Sequence, residues 1–138
     1  MPRPDVKVRL AQNEEAPIVA KLFAEIFHMG DWQPEFKAIF PHWLVAEIAG
    51  EIVGTINIRI SLPISSIEML SLDSKLTHRE RAVTVSMLID SAVAICAGSG
   101  AVMVSTMIPD ELVSYRKILE KKGLTEGSHG NIMFGRYQ

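Results

Sequence analysis

Residues 67–100 read IEMLSLDSKLTHRERAVTVSMLIDSAVAICAGSG, and this stretch decides the fold. A short apolar strand meets a polar turn, and the turn opens a long apolar helix, expected from about Thr77 to Ala97. Unpaired backbone N–H groups at a helix start attract an anion, so pyrophosphate-bearing cofactors are often held at such a junction. The same residues carry a second reading. Thr77-His78-Arg79-Glu80 is a capping-box pattern that would begin the helix with no ligand at all. Asp90 is the only charge in the helix after Arg81. A helix apolar on every side is covered on most of them, by a sheet, by neighbouring elements or by a second copy in a homodimer.

After the helix, Gly98-Ser99-Gly100 makes a break, and Ala101 to Ser105 reads as a continuous apolar strand of the buried parallel kind. Ser91 to Pro109 is uncharged and nearly long enough to span a bilayer, but the glycines interrupt it and Asp90 and Asp110 flank it. It reads as a helix end, a turn and a strand. Asp110 can cap a last helix that runs to Lys121-Lys122, with Gly123 as its stop. Leu124 to Glu126 and Asn131 to Tyr137 are expected as closing strands, joined across Gly127 to Gly130.

Before the helix, Leu62 to Ser65 is expected to turn into a strand over Ser66 to Leu72. Trp43 to Glu47 and Glu51 to Ile60 form a hairpin about Ala49-Gly50. Its second strand should face Ile52, Ile56, Ile58 and Ile60 one way, and Thr55, Asn57 and Arg59 the other. His28 to Pro41 reads as a loop. Ile18, Leu22 and Ile26 with Val19 and Phe23 give a helix whose first turn accommodates Pro17, and Val6 to Leu10 alternates as a strand. The fold class is α+β with a mixed sheet, in one domain over residues 1–138.

The 138 residues carry a net charge of −2, which gives no general pull toward nucleic acid or an acidic membrane. A content of 48% hydrophobic and 22% charged residues is globular rather than disordered. The start, MPRPDVKVRL, lacks the apolar core of a signal peptide. Cys96 is the only cysteine, so no intrachain disulfide forms and a reducing, cytoplasmic setting is expected. The four histidines are far apart with no metal-ligand spacing, so no metal site is expected.

The order strand, helix, loop, hairpin, strand, long helix, strand, helix, strand resembles the GNAT superfamily of N-acetyltransferases. LVAEIAGEIVGTINI (44–58) is similar to that family's second and third strands, and YRKILEKKGL (115–124) to its last helix. The resemblance implies a GNAT-like acyl-CoA N-acyltransferase fold, a central mixed sheet flanked by helices. It also implies transfer of an acetyl group from acetyl-CoA to a small-molecule or peptide amine by direct attack. A catalytically degenerate binding or assembly module on the same fold is the alternative.

By the same resemblance, the backbone of Leu70, Ser71 and Leu72 holds the pantetheine, and Arg79-Glu80-Arg81-Ala82-Val83-Thr84 stands at the family's Q/R-x-x-G-x-G/A signature. Alanine and threonine replace the small residues that let backbone approach a pyrophosphate, and threonine is expected to be the larger obstacle. Glu68 falls where many members carry a carboxylate base. It is expected on the face of Leu70 and Leu72, where partial burial would raise its pKa; as a bare strand residue it would simply reach solvent. The family's tyrosine acid corresponds to Leu119. Tyr115, one turn earlier, is the substitute candidate, although its place in an apolar stripe also reads as core. The loop with His28, Asp31 and Trp32 would line the acceptor side.

Overall fold

The computed structural model describes residues 3–26, 42–107, 113–126 and 132–136. The loop bearing His28, Asp31 and Trp32, the Asp110 cap and the Gly127 to Gly130 connection lie outside them. The elements run β1 (Val6–Leu10), α1 (Ala16–Ile26), β2 (Trp43–Ile48), β3 (Glu51–Arg59), β4 (Ile64–Leu72), α2 (His78–Gly98), β5 (Met103–Met107), α3 (Val113–Lys121), β6 (Thr125–Glu126) and β7 (Ile132–Arg136). The strands form one mixed sheet in the order β1-β2-β3-β4-β5-β7-β6. Contacts divide the chain into two compact units, residues 1–57 with 69–88 and residues 58–68 with 89–138.

The first unit is built on the antiparallel run β1-β2-β3. Ala11, Val19, Ala20, Phe23, Trp43 and Val45 form its core, with Met69 and Ile52 packed against it. Phe23 meets the fully buried Trp43 edge to face, at a centroid separation of 6.4 Å. Burying a side chain of this size is worth about 2–3 kcal/mol. The two-sided alternation expected for β3 does not hold. Its register slips between Ala46↔Gly54 and Glu47↔Ile52, which leaves Val53 as a bulge, and residues 53–58 are all buried. Thr55 therefore sits inside, its hydroxyl donating to the Leu44 carbonyl at 2.7 Å, while Ile60 is exposed.

Arg9 ties β1 to the turn before α1. Its Nη1 and Nη2 donate to the two carboxylate oxygens of Glu15 at 2.7 and 2.6 Å, and its Nε donates to Glu47 at 2.7 Å. Glu15 also accepts from the Gln12 backbone N–H at 2.8 Å. This is a paired fork, stronger than an isolated surface bridge.

In the second unit, β5 runs parallel to β4 and antiparallel to β7. Ile67, Ile89, Ala92, Cys96, Val104, Leu119, Leu124 and Met133 are fully buried in it. The strand expected from Ala101 begins at Met103, because the backbone just before it closes α2. Gly100 N–H donates to Ala97 O and Ala101 N–H to Cys96 O, both at 3.1 Å, with Gly100 at φ +100°. Gly123, at φ +93°, ends α3 with the same pair of bonds. β4 starts two residues earlier than expected, at Ile64.

Helix α2 is long and apolar enough by length and composition to cross a membrane. Val85, Leu88, Ile89, Ala92 and Cys96 are nevertheless buried within the protein. Nor is the helix covered all round: Ala82, Asp90, Ala94 and Gly98 are exposed along one ridge. Hydropathy hides that face because small residues form most of it.

The Arg9 hydrogen bond holds the Glu15 carboxyl below its usual range, with burial opposing. Stability from the pair is thus present above the unfolded carboxylate pKa and lost as pH falls through the lower folded value. Arg9→Met should cost about 1–3 kcal/mol in urea unfolding at neutral pH, and the difference from wild type should vanish in strong acid.

Candidate active site

Strand β4 changes character halfway along. Its parallel pairing with β5 covers only Ile64↔Met103, Ser65↔Val104 and Ser66↔Ser105, although β4 continues to Leu72. Met69 then takes φ +59°, a left-handed conformation that a side-chain-bearing residue adopts at a cost of about 1–2 kcal/mol. The Ser71 hydroxyl donates to the Met69 carbonyl at 3.2 Å. On either side of Met69 the pleat has opposite phase. Ser65 hydrogen-bonds Cys96 of α2, while Leu72 converges with Thr84 and Leu88 of α2. Residues seven apart would leave an unbroken strand on opposite faces.

That switch corrects one expectation. Glu68, three residues after Ser65, leaves the strand away from α2, not on the face of Leu72. It is half-buried and ion-pairs with Arg59 of β3, Oε2 to Nε 3.5 Å. Sequence reasoning placed Arg59 on the polar side of its strand but missed this pairing. Opposite charges on adjacent strands were the signal available.

The turn after β4 is held by short-range bonds. Asp73 N–H donates to Val53 O at 2.8 Å, and Asp73 Oδ1 accepts from Lys75 N–H at 2.9 Å. The capping box is formed: Glu80 N–H donates to Thr77 Oγ1 at 3.1 Å, and Thr77 N–H to Glu80 Oε1 at 2.9 Å. Arg81 reaches back to the Ser74 carbonyl at 3.4 Å. Arg79 and Ala82 are exposed and Val83 is half-buried.

Thr84 does not lie at the surface of the turn. It is fully buried, turned under the helix onto β3, where Gly54 makes room. A Cβ on Gly54 would lie 3.1 Å from Thr84 Cγ2, 2.9 Å from Leu72 Cδ2 and 3.3 Å from Leu88 Cδ1. The Thr84 hydroxyl has no hydrogen-bond partner among the described residues.

Tyr115 lies on α3, half-buried, with its side chain hydrogen-bonded to Thr106 of β5. Thr106 shares a β5 face with Val104, the register partner of Ser65. Tyr115 and Glu68 therefore lie on opposite faces of the sheet. Burial pushes the Tyr115 phenol up to about 12, and the Thr106 bond only partly opposes it. Leu119 is fully buried core.

No family model matches the sequence, and no curated protein matches it. Solved structures do. An acetyltransferase of the GNAT family from Streptococcus pneumoniae superposes with a TM-score of 0.78 at 13% identity, over 97% of this chain and 100% of that one. The fold is that of the GNAT acetyltransferases. The PaiA N-acetyltransferase of Thermoplasma acidophilum, solved with coenzyme A, superposes with a TM-score of 0.68 at 15% identity, over 96% and 99% of the two chains. N-acetylglutamate synthase from Neisseria gonorrhoeae, solved with coenzyme A and L-arginine, gives 0.77 at 12% identity over 96% of this chain. The chain spans only 33% of that synthase. The GNAT architecture thus accounts for the mixed sheet and flanking helices.

Two measurements follow from this geometry. Gly54→Ala should cost about 1–3 kcal/mol through overpacking, and Thr84→Ala should relieve part of that cost in the double variant, read by urea unfolding. In a near-ultraviolet pH titration, wild type should show a tyrosinate step near pH 12 that Tyr115→Phe lacks. Because the folded pKa is raised, the associated stability is complete below the ordinary tyrosine value of 10.0 and is lost as pH rises through about 12.

Proposed function

We propose that residues 1–138 act as one GNAT-type N-acetyltransferase domain, moving an acetyl group from acetyl-CoA to an amine acceptor by direct attack. The supporting observation is the behaviour of β4, which parts from β5 after Ser66, turns through the left-handed Met69 and runs into the start of α2. Leu70, Ser71 and Leu72 come after Ser66, the last β4 residue paired with β5, and their backbone would hold a pantetheine arm.

The turn suits a pyrophosphate in two respects. Ala82 presents only a methyl group at its surface, and the bulk of Thr84 is taken up by Gly54. Arg79 and Arg81 supply positive charge, and Glu80, engaged in the capping box, opposes them. Acetyl-CoA would bring an acyl thioester already activated for attack. Glu68 then receives the proton lost by the amine, directly or through water. Tyr115, on the opposite face of the sheet from Glu68 and protonated at neutral pH, would serve as donor to the departing thiolate only from across the sheet, where β4–β5 pairing has ended at Ser66. The buried lone cysteine suits a cytoplasmic setting. The capping box and the leucine at position 119 favour a second reading, a GNAT-fold module that binds acetyl-CoA without turning it over.

Calorimetric titration with acetyl-CoA tests the proposal. Wild type should bind in the micromolar range, and Ala82→Glu should weaken binding at least about tenfold by adding bulk and charge on the turn. Glu80→Gln keeps the acceptor for Thr77 but removes its charge, and should tighten binding about two- to fivefold. No binding at millimolar cofactor would sink both readings. Binding with no CoA release across a broad amine set would leave the second.

A further inference from the structure

On the face of the sheet that turns away from α2, a polar patch lies among the apolar Ile64, Met103 and Met107. Ser66 and Glu68 share it on β4, Ser105 joins them through its register with Ser66, and Arg59 reaches across from β3. Central strands of a wide sheet seldom carry a carboxylate, a guanidinium and two hydroxyls on one face unless something polar is received there. The ion pair itself is loose. The nearest approach of Arg59 to Glu68 is Nε to Oε2 at 3.5 Å, and the two side chains are 66% and 29% exposed.

From this geometry we infer that the acceptor is an amine that also carries a carboxylate, with Glu68 receiving the ammonium and the Arg59 fork receiving the carboxylate. The inference rests on the acetyltransferase reading. A simple cationic amine that displaced Arg59 from Glu68 would leave the guanidinium without its counter-ion. A zwitterion exchanges one ion pair for two and leaves no charge uncompensated. The planar Nη edge suits a carboxylate bidentately, in a way that a lysine would not. Ser66 and Ser105 hydroxyls line the same face and can hydrogen-bond either group.

The experiment measures CoA thiol release for the protein amino acids and for their α-carboxamides, in wild type, Arg59→Gln and Arg59→Lys. Amidation removes the carboxylate and lowers the basicity of the amine, which by itself would favour the amide. The expected result is at least one amino acid used about tenfold or more better than its amide in kcat/KM. Arg59→Gln should bring that ratio to within about twofold by raising KM for the acid alone, and Arg59→Lys should restore only part of it. Amides used as well as acids, or a ratio that Arg59→Gln leaves intact, would overturn the inference. So would turnover confined to amines without a carboxylate, which would leave the acetyltransferase reading standing. Failure to bind acetyl-CoA in the calorimetric titration would remove that reading, and this one with it.

Discussion

Helix α2 can lie as close as it does to β3 because residue 54 has no side chain. Leu72, Thr84 and Leu88 all press toward the space a Cβ would take, the nearest at 2.9 Å. That contact joins the end of β4, the middle of β3 and the second and third turns of the helix. It also fixes which way the start of α2 presents itself. With Thr84 drawn under, Ala82 is left at the surface, and the turn from Asp73 to Arg81 is closed by its own side chains. One missing methyl group thus sets both a packing distance and the shape of a candidate binding surface.

Much of the fold could be read from residue order. The 3.6-residue rhythm of Val19, Leu22 and Phe23, the alternation of β1 and the glycine stops at 100 and 123 each have one physical interpretation, and each corresponds to an observed element. What could not be read was the phase of the strands. The bulge at Val53 and the left-handed Met69 exchange the faces of β3 and β4 partway along, and neither residue belongs to a type that announces such a change. A strand buried on both sides gives no alternation from which to detect the change.

The candidate site divides along the same line. Its backbone component, from Leu70 to Val83, was legible because a strand, a polar turn and a capped helix must follow one another in sequence. The side-chain component was not. The Arg59–Glu68 pair depends on how two strands are registered, and the Tyr115–Thr106 bond depends on where a helix is laid on the sheet. Thr84 is the clearest example: its effect depends on a glycine thirty positions earlier, and the motif around it contains no sign of that.

Cys96 has a practical consequence. It is fully buried beside Ser65, and burial pushes its thiol up. A sulfhydryl both shielded and protonated reacts slowly with aromatic disulfides and maleimides. The native protein is therefore close to transparent to thiol-sensing dyes. Coloured reagents can follow liberated coenzyme continuously against a quiet background, and a cysteine installed on the exposed ridge of α2 would accept a spectroscopic label at a single place.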